Sequence, residues 1–196
     1  MSRAFVLGNG RSRLAINPNE LKKLGTVYAC NAAYRDFTPD FLVSVDVKMV
    51  LELAEKRVQY TTNVWCNYKK EFEKLQGFNY FDPSTGWSSG PSALFLASKH
   101  GYKEIYILGF DFQGLENHTK VNNVYTDTPN YKTSNEMPTF YGNWLHQTEK
   151  VIKDNPDTKY FRINDHTQFK PVCENLKNLE HLTYDMLKSM MNCQNS

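Results

Sequence analysis

The segment Gly8-Asn9-Gly10-Arg11-Ser12 follows an apolar run at residues 4–7 and carries groups that can bind a phosphate. Two glycines one residue apart let the backbone turn tightly and bring its N–H groups close to an anion. Ser12 adds a hydroxyl group, and Arg11 or Arg13 adds a positive charge. Because Asn-Gly is also a strong signal for a hairpin turn, the segment alone predicts either a phosphate-binding loop or an ordinary β-turn.

A second candidate anion site is the stretch Ser88-Ser89-Gly90-Pro91, which precedes an apolar segment with helical spacing. The first N–H groups of a helix have no partner within the helix, so they attract a phosphate or a carboxylate. Serine is also a common helix cap, and capping explains the same residues. The sequence leaves both interpretations open.

Three polar residues stand at the ends of predicted strands, namely Asn31, Asp46 and Asp111. The strands are predicted at residues 26–30, 41–45 and 104–111. In an open α/β sheet the ligand lies beyond the carboxyl ends of the strands, so these residues would share one edge with the first loop. Asp111 is therefore a candidate nucleotide-binding residue, although a capping or hydrogen-bonding role explains it equally well.

His146 is the candidate general base of the sequence, because histidine is the side chain that most often exchanges protons near neutral pH. It lies on a predicted helix at residues 139–153, where it is also explained as a structural residue beside Trp144. The other histidines lie in polar loops or on predicted helix surfaces: His118, His166, His100 and His181.

The elements that must position these residues alternate between strand and helix. Further strands are predicted at 4–7, 63–66 and 159–164, with a short strand or loop at 78–81, and helices at 17–25, 47–58, 92–100, 139–153 and 174–191. This alternation predicts an α/β fold with a mostly parallel sheet and helices on both faces. No linker divides the 196 residues, so we expect a single domain over residues 1–196.

Residues 112–138 have no periodic apolar pattern and are rich in Asn, Thr, Tyr and Lys. Long loops without regular structure inside a compact domain are usually functional or disordered. We therefore predict a polar loop that closes over the site as a lid.

The amino-acid composition does not indicate a binding partner. The chain has 23 basic and 21 acidic residues, so it has no broad cationic surface for nucleic acid. The four cysteines are widely spaced, which favours reduced structural thiols over a metal site: Cys30, Cys66, Cys173 and Cys193. With no signal peptide and no apolar stretch of membrane-spanning length, we expect a soluble, cytoplasmic protein.

The order of four motifs resembles the bacterial sialyltransferases that use a cytidine monophosphate donor and build lipooligosaccharide termini. The motifs are Val6-Leu7-Gly8-Asn9-Gly10-Arg11-Ser12, Ala29-Cys30-Asn31-Ala32-Ala33-Tyr34-Arg35-Asp36, Ser88-Ser89-Gly90-Pro91 and Gly101-Tyr102-Lys103-Glu104-Ile105-Tyr106-Ile107-Leu108-Gly109-Phe110-Asp111-Phe112. The resemblance spans roughly residues 4–153. It implies a Rossmann-like nucleotide-binding domain with a lid over the donor.

The resemblance implies roles for several residues. It places Gly8, Asn9, Gly10 and Ser12 around the nucleotide phosphate and ribose, with Asn31 beside them. It brings Ser89 and Gly90 to the donor, and it assigns Tyr125 and Tyr131 to the departing phosphate. Because no Asp-x-Asp motif follows a strand, tyrosine hydroxyls with Arg11 or Arg13 would take the place of a metal ion, and we expect no metal or other cofactor.

One position departs from the family. The family has a histidine base after a Tyr-x-Gly segment, where this chain has Tyr141-Gly142-Asn143. A neutral asparagine cannot accept a proton at pH 7, so His146, one turn further along, or another group must act, or the chemistry differs.

These observations predict a metal-independent, inverting glycosyltransferase that uses a CMP-sugar-like donor. The acceptor would be a glycan, a lipid-linked saccharide or a modified nucleobase, and a homo-oligomer is compatible with the sequence. One alternative is a nucleotide-binding protein without transferase activity, which acts as a structural or sequestering module. Another is a pterin or nucleotide pyrophosphokinase-like enzyme, which would require magnesium and ATP.

Overall fold

The computed structural model describes residues 2–165 and 176–192, which form one eight-stranded sheet with parallel pairing throughout. The strands are β1 (Arg3–Leu7), β2 (Thr26–Cys30), β3 (Phe41–Val43), β4 (Asn63–Asn67), β5 (Asn79–Phe81), β6 (Glu104–Leu108), β7 (Lys159–Ile163) and β8 (Leu179–Leu182). Their order across the sheet is β5-β4-β3-β2-β1-β6-β7-β8. This arrangement is Rossmann-like, and it confirms the predicted α/β fold.

Within the described residues, five α-helices flank the sheet: α1 (Pro18–Leu21), α2 (Val47–Glu55), α3 (Ser89–Lys99), α4 (Gly142–Asp154) and α5 (Tyr184–Asn192). The start of α1 follows from its sequence, because the Asn17 side chain accepts a hydrogen bond from the Asn19 N–H and proline occupies the first turn. The end of α3 is likewise determined by a nearby residue, because Gly101, just beyond the helix, adopts a left-handed φ of 78°.

Alternate residues of the central strand β1 enter two different cores. Ala4 and Val6 pack with α3 and α4 on one face of the sheet. Phe5 and Leu7 pack with α1, α2 and α5 on the other. A strand covered on both faces needs an unbroken apolar run, and burial of each large side chain contributes about 1.5–3 kcal/mol to stability.

The strand order reverses between β1 and β6, where the chain winds outward in both directions. The connections that follow these two strands leave toward opposite sides, which opens a crevice beyond their carboxyl ends. The first glycine loop, at residues 8–12, follows β1. Residues 109–141 follow β6 and form the long irregular connection to α4.

The structure corrects two predictions and excludes a hairpin at the first loop. The helix predicted at 174–191 is wrong over residues 179–182, which form β8 beside β7, and 174–175 lie outside the described residues. The helix predicted from Thr139 begins instead at Gly142. The first loop is not a hairpin turn, because β1 pairs in parallel with β2 and β6. His166, Cys173 and Cys193 also lie outside the described residues.

Candidate active site

A cleft of about 760 Å³ lies at the reversal point, beyond the ends of β1, β2, β3 and β6. The first loop and the residues after β6 form its floor. The start of α3 and the start of α4 form one wall, and part of the polar loop covers it. This is the place where ligands bind in open α/β sheets, and the volume lies within the usual range for small-molecule sites.

Close packing explains the two glycines of the first loop. The Gly8 N–H donates to the Leu108 carbonyl at 2.8 Å, and the Gly10 N–H donates to the Gly109 carbonyl at 2.9 Å. A Cβ at Gly8 would lie 2.5 Å from the Gly109 oxygen, and a Cβ at Gly10 would lie 2.5 Å from the Asp111 carboxylate. These N–H groups therefore join the loop to the end of β6 and are not available to a phosphate.

Asp111 holds the first loop in shape. Its carboxylate accepts hydrogen bonds from the Ser12 N–H at 3.1 Å, from the Ser12 hydroxyl, and from the Asn122 side chain at 3.0 Å. The Tyr184 hydroxyl of α5 lies 3.2 Å from the Ser12 hydroxyl oxygen. Both Asp111, which is 6% exposed, and Ser12 thus stabilise the loop, and of the two Asp111 lines the cleft.

Two asparagines predicted to meet the nucleotide line the cleft. The Asn9 amide donates weakly to the Cys30 carbonyl at 3.4 Å and to the Tyr131 hydroxyl at 3.3 Å. Its carbonyl oxygen is buried and has no hydrogen-bond donor among the described residues. Such an oxygen favours a ligand that brings a hydroxyl or amino group. Asn31 has a left-handed φ of 53°, and its side chain accepts from Ser44 at 3.0 Å.

The two tyrosines predicted to bind the leaving phosphate have different positions. Tyr131 lines the cleft, where its hydroxyl oxygen accepts from the Ala32 N–H at 3.2 Å and from Asn9. Among the described residues, none accepts the Tyr131 phenolic hydrogen. Burial is the largest cause that raises the pKa of Tyr131 above its ordinary value, so the phenol keeps this hydrogen at neutral pH.

Tyr125 instead belongs to a buried charged cluster behind the cleft. The Arg13 guanidinium, only 3% exposed, donates to Tyr125 at 2.6 Å and to Asp36 at 3.0 Å. The Tyr125 hydroxyl in turn donates to Asp36 at 2.5 Å. Neither Tyr125 nor Arg13 is among the residues that line the cleft. The cluster fastens the polar loop to the short helical segment at Arg13, just after the first loop, and to the segment after β2.

Replacing Tyr125 with phenylalanine is expected to lower the free energy of unfolding by about 1–3 kcal/mol, because it leaves a buried guanidinium with one fewer acceptor. We expect nucleotide affinity to stay unchanged in this variant, since Tyr125 does not line the cleft. Urea denaturation measures the first effect and titration calorimetry the second. An intact stability combined with lost affinity would contradict this assignment.

The polar loop is held at several further points. The Val124 N–H donates to the Asn9 carbonyl at 2.8 Å, and Arg35 donates to the Thr128 hydroxyl at 2.9 Å. Glu52 of α2 accepts from Arg35 and from Asn130 at 2.6 Å. The Arg35 and Glu52 pair lies in a second, more open groove of about 1000 Å³, and Asn130 lines both this groove and the cleft.

The start of α3 faces the cleft through Ser88, Ser89 and Gly90. The Ser88 N–H donates to the Gln147 side chain at 3.0 Å, and the Ser89 hydroxyl accepts from the Val45 N–H at 3.1 Å. The Ser88 hydroxyl does not cap the helix. The serines thus join α3 to α4 and to the end of β3, and the helix end faces the cleft without a side-chain cap.

The structure does not bring His146 to the cleft. Asn143, Trp144 and Gln147 lie within about 100° of one another around α4 and line the cleft, whereas His146 lies beyond them and is exposed. His118, in the polar loop, contacts Tyr141 at the mouth of the cleft, with a ring-centroid distance of 6.0 Å. It is not a lining residue.

The charged groups that line the described cleft are few. Lys132 is one, and its ammonium donates to the Met137 carbonyl at 2.9 Å. Asp111 is another and is occupied by the first loop, as described above. The third is Asp46, which the sequence analysis predicted to lie at the carboxyl ends of the strands but to which it assigned no function. Neutral groups supply most of the remaining lining, including several asparagines and aromatic rings.

The cysteine that lines the cleft is chemically inert. Burial raises the pKa of Cys30 to about 12, so its thiol is protonated at neutral pH. Cys66 is buried in the core, and burial likewise raises its pKa to about 12. Within residues 2–165 and 176–192, no group of three or more His, Cys, Asp or Glu side chains could hold a metal ion. In the same ranges no helix is long and apolar enough to cross a membrane.

Comparison with protein-family models, curated proteins and solved structures finds no match to this chain. The class that the structure defines is therefore a Rossmann-like α/β protein with a polar cleft at the reversal of its strand order.

Proposed function

We propose that this protein is a glycosyltransferase that moves a sugar from a nucleotide donor to the hydroxyl group of an acceptor, with inversion at the sugar carbon. One observation carries the proposal: the first loop, the start of α3 and Tyr131 converge on one cleft at the strand-order reversal. The cleft therefore offers contacts both to the nucleoside and to the phosphate that leaves with it. The motif resemblance to CMP-dependent sialyltransferases agrees with this arrangement.

The lining of the cleft suits a nucleoside and a sugar. Asparagine side chains offer both donors and acceptors to ribose hydroxyls and base edges, and Asn9 has a buried acceptor in need of a donor. Aromatic rings provide flat apolar faces for a base or a sugar ring, and Trp87, Phe110, Tyr141 and Trp144 lie around the cleft.

The leaving phosphate would be stabilised by fixed hydrogen-bond donors. Tyr131 supplies a phenolic hydrogen that has no protein acceptor in the described chain. The first turn of α3 adds N–H groups and the positive end of a helix dipole. Lys132, which also lines the cleft, is a basic side chain that can attract the phosphate. Donors held in place before the reaction stabilise the charge that develops as the sugar departs.

Binding and turnover test the proposal together. Titration calorimetry with CMP, CDP, UMP, UDP, AMP and GMP is expected to show preferred binding of a cytidine or uridine nucleotide. Incubation with a panel of CMP- and UDP-sugars, with and without glycans, lipid-linked saccharides and nucleosides as acceptors, is expected to release the matching nucleotide. No binding and no nucleotide release with any donor would exclude the proposal.

A second candidate function is nucleotide binding without transfer. It is favoured by Asn143, which occupies the cleft position where the resemblance leads one to expect a histidine base. This function predicts tight nucleotide binding with no release from any nucleotide sugar in the presence of any acceptor of the panel. Detection of a transfer product excludes it.

A further inference from the structure

Asp46 is placed at the cleft in an unusual way. It follows β3 and occupies the cap position of α2, where an aspartate normally accepts a hydrogen bond from its own helix. Here its carboxylate makes no cap, and within the described residues it takes part in no hydrogen bond or ion pair. It lines the cleft and is open to solvent there.

Asp46 lies close enough to Tyr131 to act on it electrostatically. Burial is the main cause that raises the pKa of Tyr131, and the negative charge of Asp46 adds to it. The same charge acts on Cys30, whose pKa is also raised mainly by burial. Asp46 and Tyr131 therefore face the same cleft.

The other ionisable side chains that line the cleft are less suited to act as a base. Lysine, tyrosine and cysteine are proton donors in their ordinary forms, and this applies to Lys132, Tyr131, Tyr141 and Cys30. Asp111 is a carboxylate, but it already accepts three hydrogen bonds from the loops around it. Among the described lining residues, Asp46 is the one carboxylate whose oxygens accept no hydrogen bond.

We propose that Asp46 is the general base that activates the acceptor hydroxyl, an inference that rests on the proposed glycosyltransferase function. The acceptor oxygen forms a bond to the anomeric carbon of the donor sugar as the bond from that carbon to the phosphate oxygen breaks. The hydroxyl proton passes to a carboxylate oxygen of Asp46. The bonding electron pair leaves with the nucleotide phosphate, which Tyr131 meets from its side of the cleft.

The test compares Asp46→Asn with the unmodified protein. Asparagine keeps the shape of the side chain and cannot take up the proton, so transfer is expected to fall by about 10²- to 10⁴-fold. Nucleotide affinity, measured by titration calorimetry, is expected to stay unchanged, and so is the thermal unfolding midpoint. Asp46→Glu keeps the carboxylate and is expected to recover part of the rate.

Two matched variants serve as controls. Asp154→Asn removes an exposed carboxylate that pairs with Lys150 on α4, far along the helix from the cleft. His146→Ala removes the exposed histidine of the same helix. Both are expected to transfer at the rate of the unmodified protein.

The outcomes separate the two proposals. If the unmodified protein releases no nucleotide from any donor, the glycosyltransferase function is excluded and the base assignment with it. If it transfers and Asp46→Asn transfers equally fast, only the base assignment is excluded. If Asp46→Asn loses nucleotide affinity and this accounts for the whole loss of rate, the base assignment is also excluded. Asp46 would then be a donor-binding residue. Loss of activity in His146→Ala would return the role of base to that histidine.

Discussion

Replacing Tyr131 with phenylalanine is expected to lower the transfer rate at saturating donor by about 10²- to 10³-fold, the usual cost of removing one hydrogen-bond donor that stabilises a developing negative charge. The Tyr131 oxygen already accepts from Ala32 and Asn9, so its hydrogen is the part of the group left for a ligand. Because burial keeps the phenol protonated, it can donate to a phosphate that gains charge as the sugar departs.

The measurement is the rate of nucleotide release at saturating donor, beside the affinity for the free nucleotide. Phenylalanine also removes the acceptor of the Ala32 N–H, so Tyr131→Phe is expected to lose some stability, and activity is therefore measured well below its unfolding midpoint. Tyr125→Phe is the matched control, since it removes the same hydroxyl group from the same loop but away from the cleft. Equal rates for Tyr131→Phe and the unmodified protein would show that Tyr131 does not meet the leaving group.

Replacing Gly8 with alanine is expected to lower the free energy of unfolding by about 3 kcal/mol, at the upper end of the usual cost of overpacking. The added Cβ would lie 2.5 Å from the Gly109 carbonyl oxygen and 2.9 Å from the Phe110 ring. The contact is with backbone, which cannot move aside as a flexible side chain would. It would force apart the ends of β1 and β6, which form the floor of the cleft, so nucleotide affinity is expected to fall as well.

Urea denaturation gives the stability of Gly8→Ala, and Gly101→Ala is its control. Gly101 has a left-handed φ of 78°, and a Cβ there would meet no atom within 4 Å. Alanine at this position carries only the conformational cost of that φ, about 1–2 kcal/mol, and leaves the cleft untouched. If Gly8→Ala were no less stable than Gly101→Ala, close packing would not explain the glycine of the first loop.

Local sequence predicted most of the sheet. The apolar runs that form β1, β2, β4 and β6 are buried on both faces, and such strands are recognisable because they need side chains of one kind without interruption. The start of α1 and the end of α3 were likewise predicted, because capping residues and glycine begin or end a helix through contacts with residues a few positions away in the chain. β8 was missed. Its segment, Leu179-Glu180-His181-Leu182, has few strand-forming residues, and it is a strand because β7 offers an edge to pair with.

The site was predicted less completely, because a sequence shows which groups a residue carries but not where they point. The ends of parallel strands meet by topology, so the positions of Gly8, Asn31 and Asp111 at one edge were foreseeable. The partners of Asp111 and of the two loop tyrosines were not, since Ser12 and Asp36 are far from them in the chain. Contacts between distant segments decide which polar group stabilises the fold and which remains available to a ligand.

The residue types at the strand ends, the apolar strands and the helix caps were thus determined by the sequence alone, because each depends on neighbours along the chain. The tertiary structure decided the rest. It placed Asn143 at the cleft and left His146 outside it, because His146 lies about 60° around α4 from Asn143, on the side away from Gln147 and Trp144. It also left Asp46 without a partner at the cleft, because the chain folds no described donor against that carboxylate.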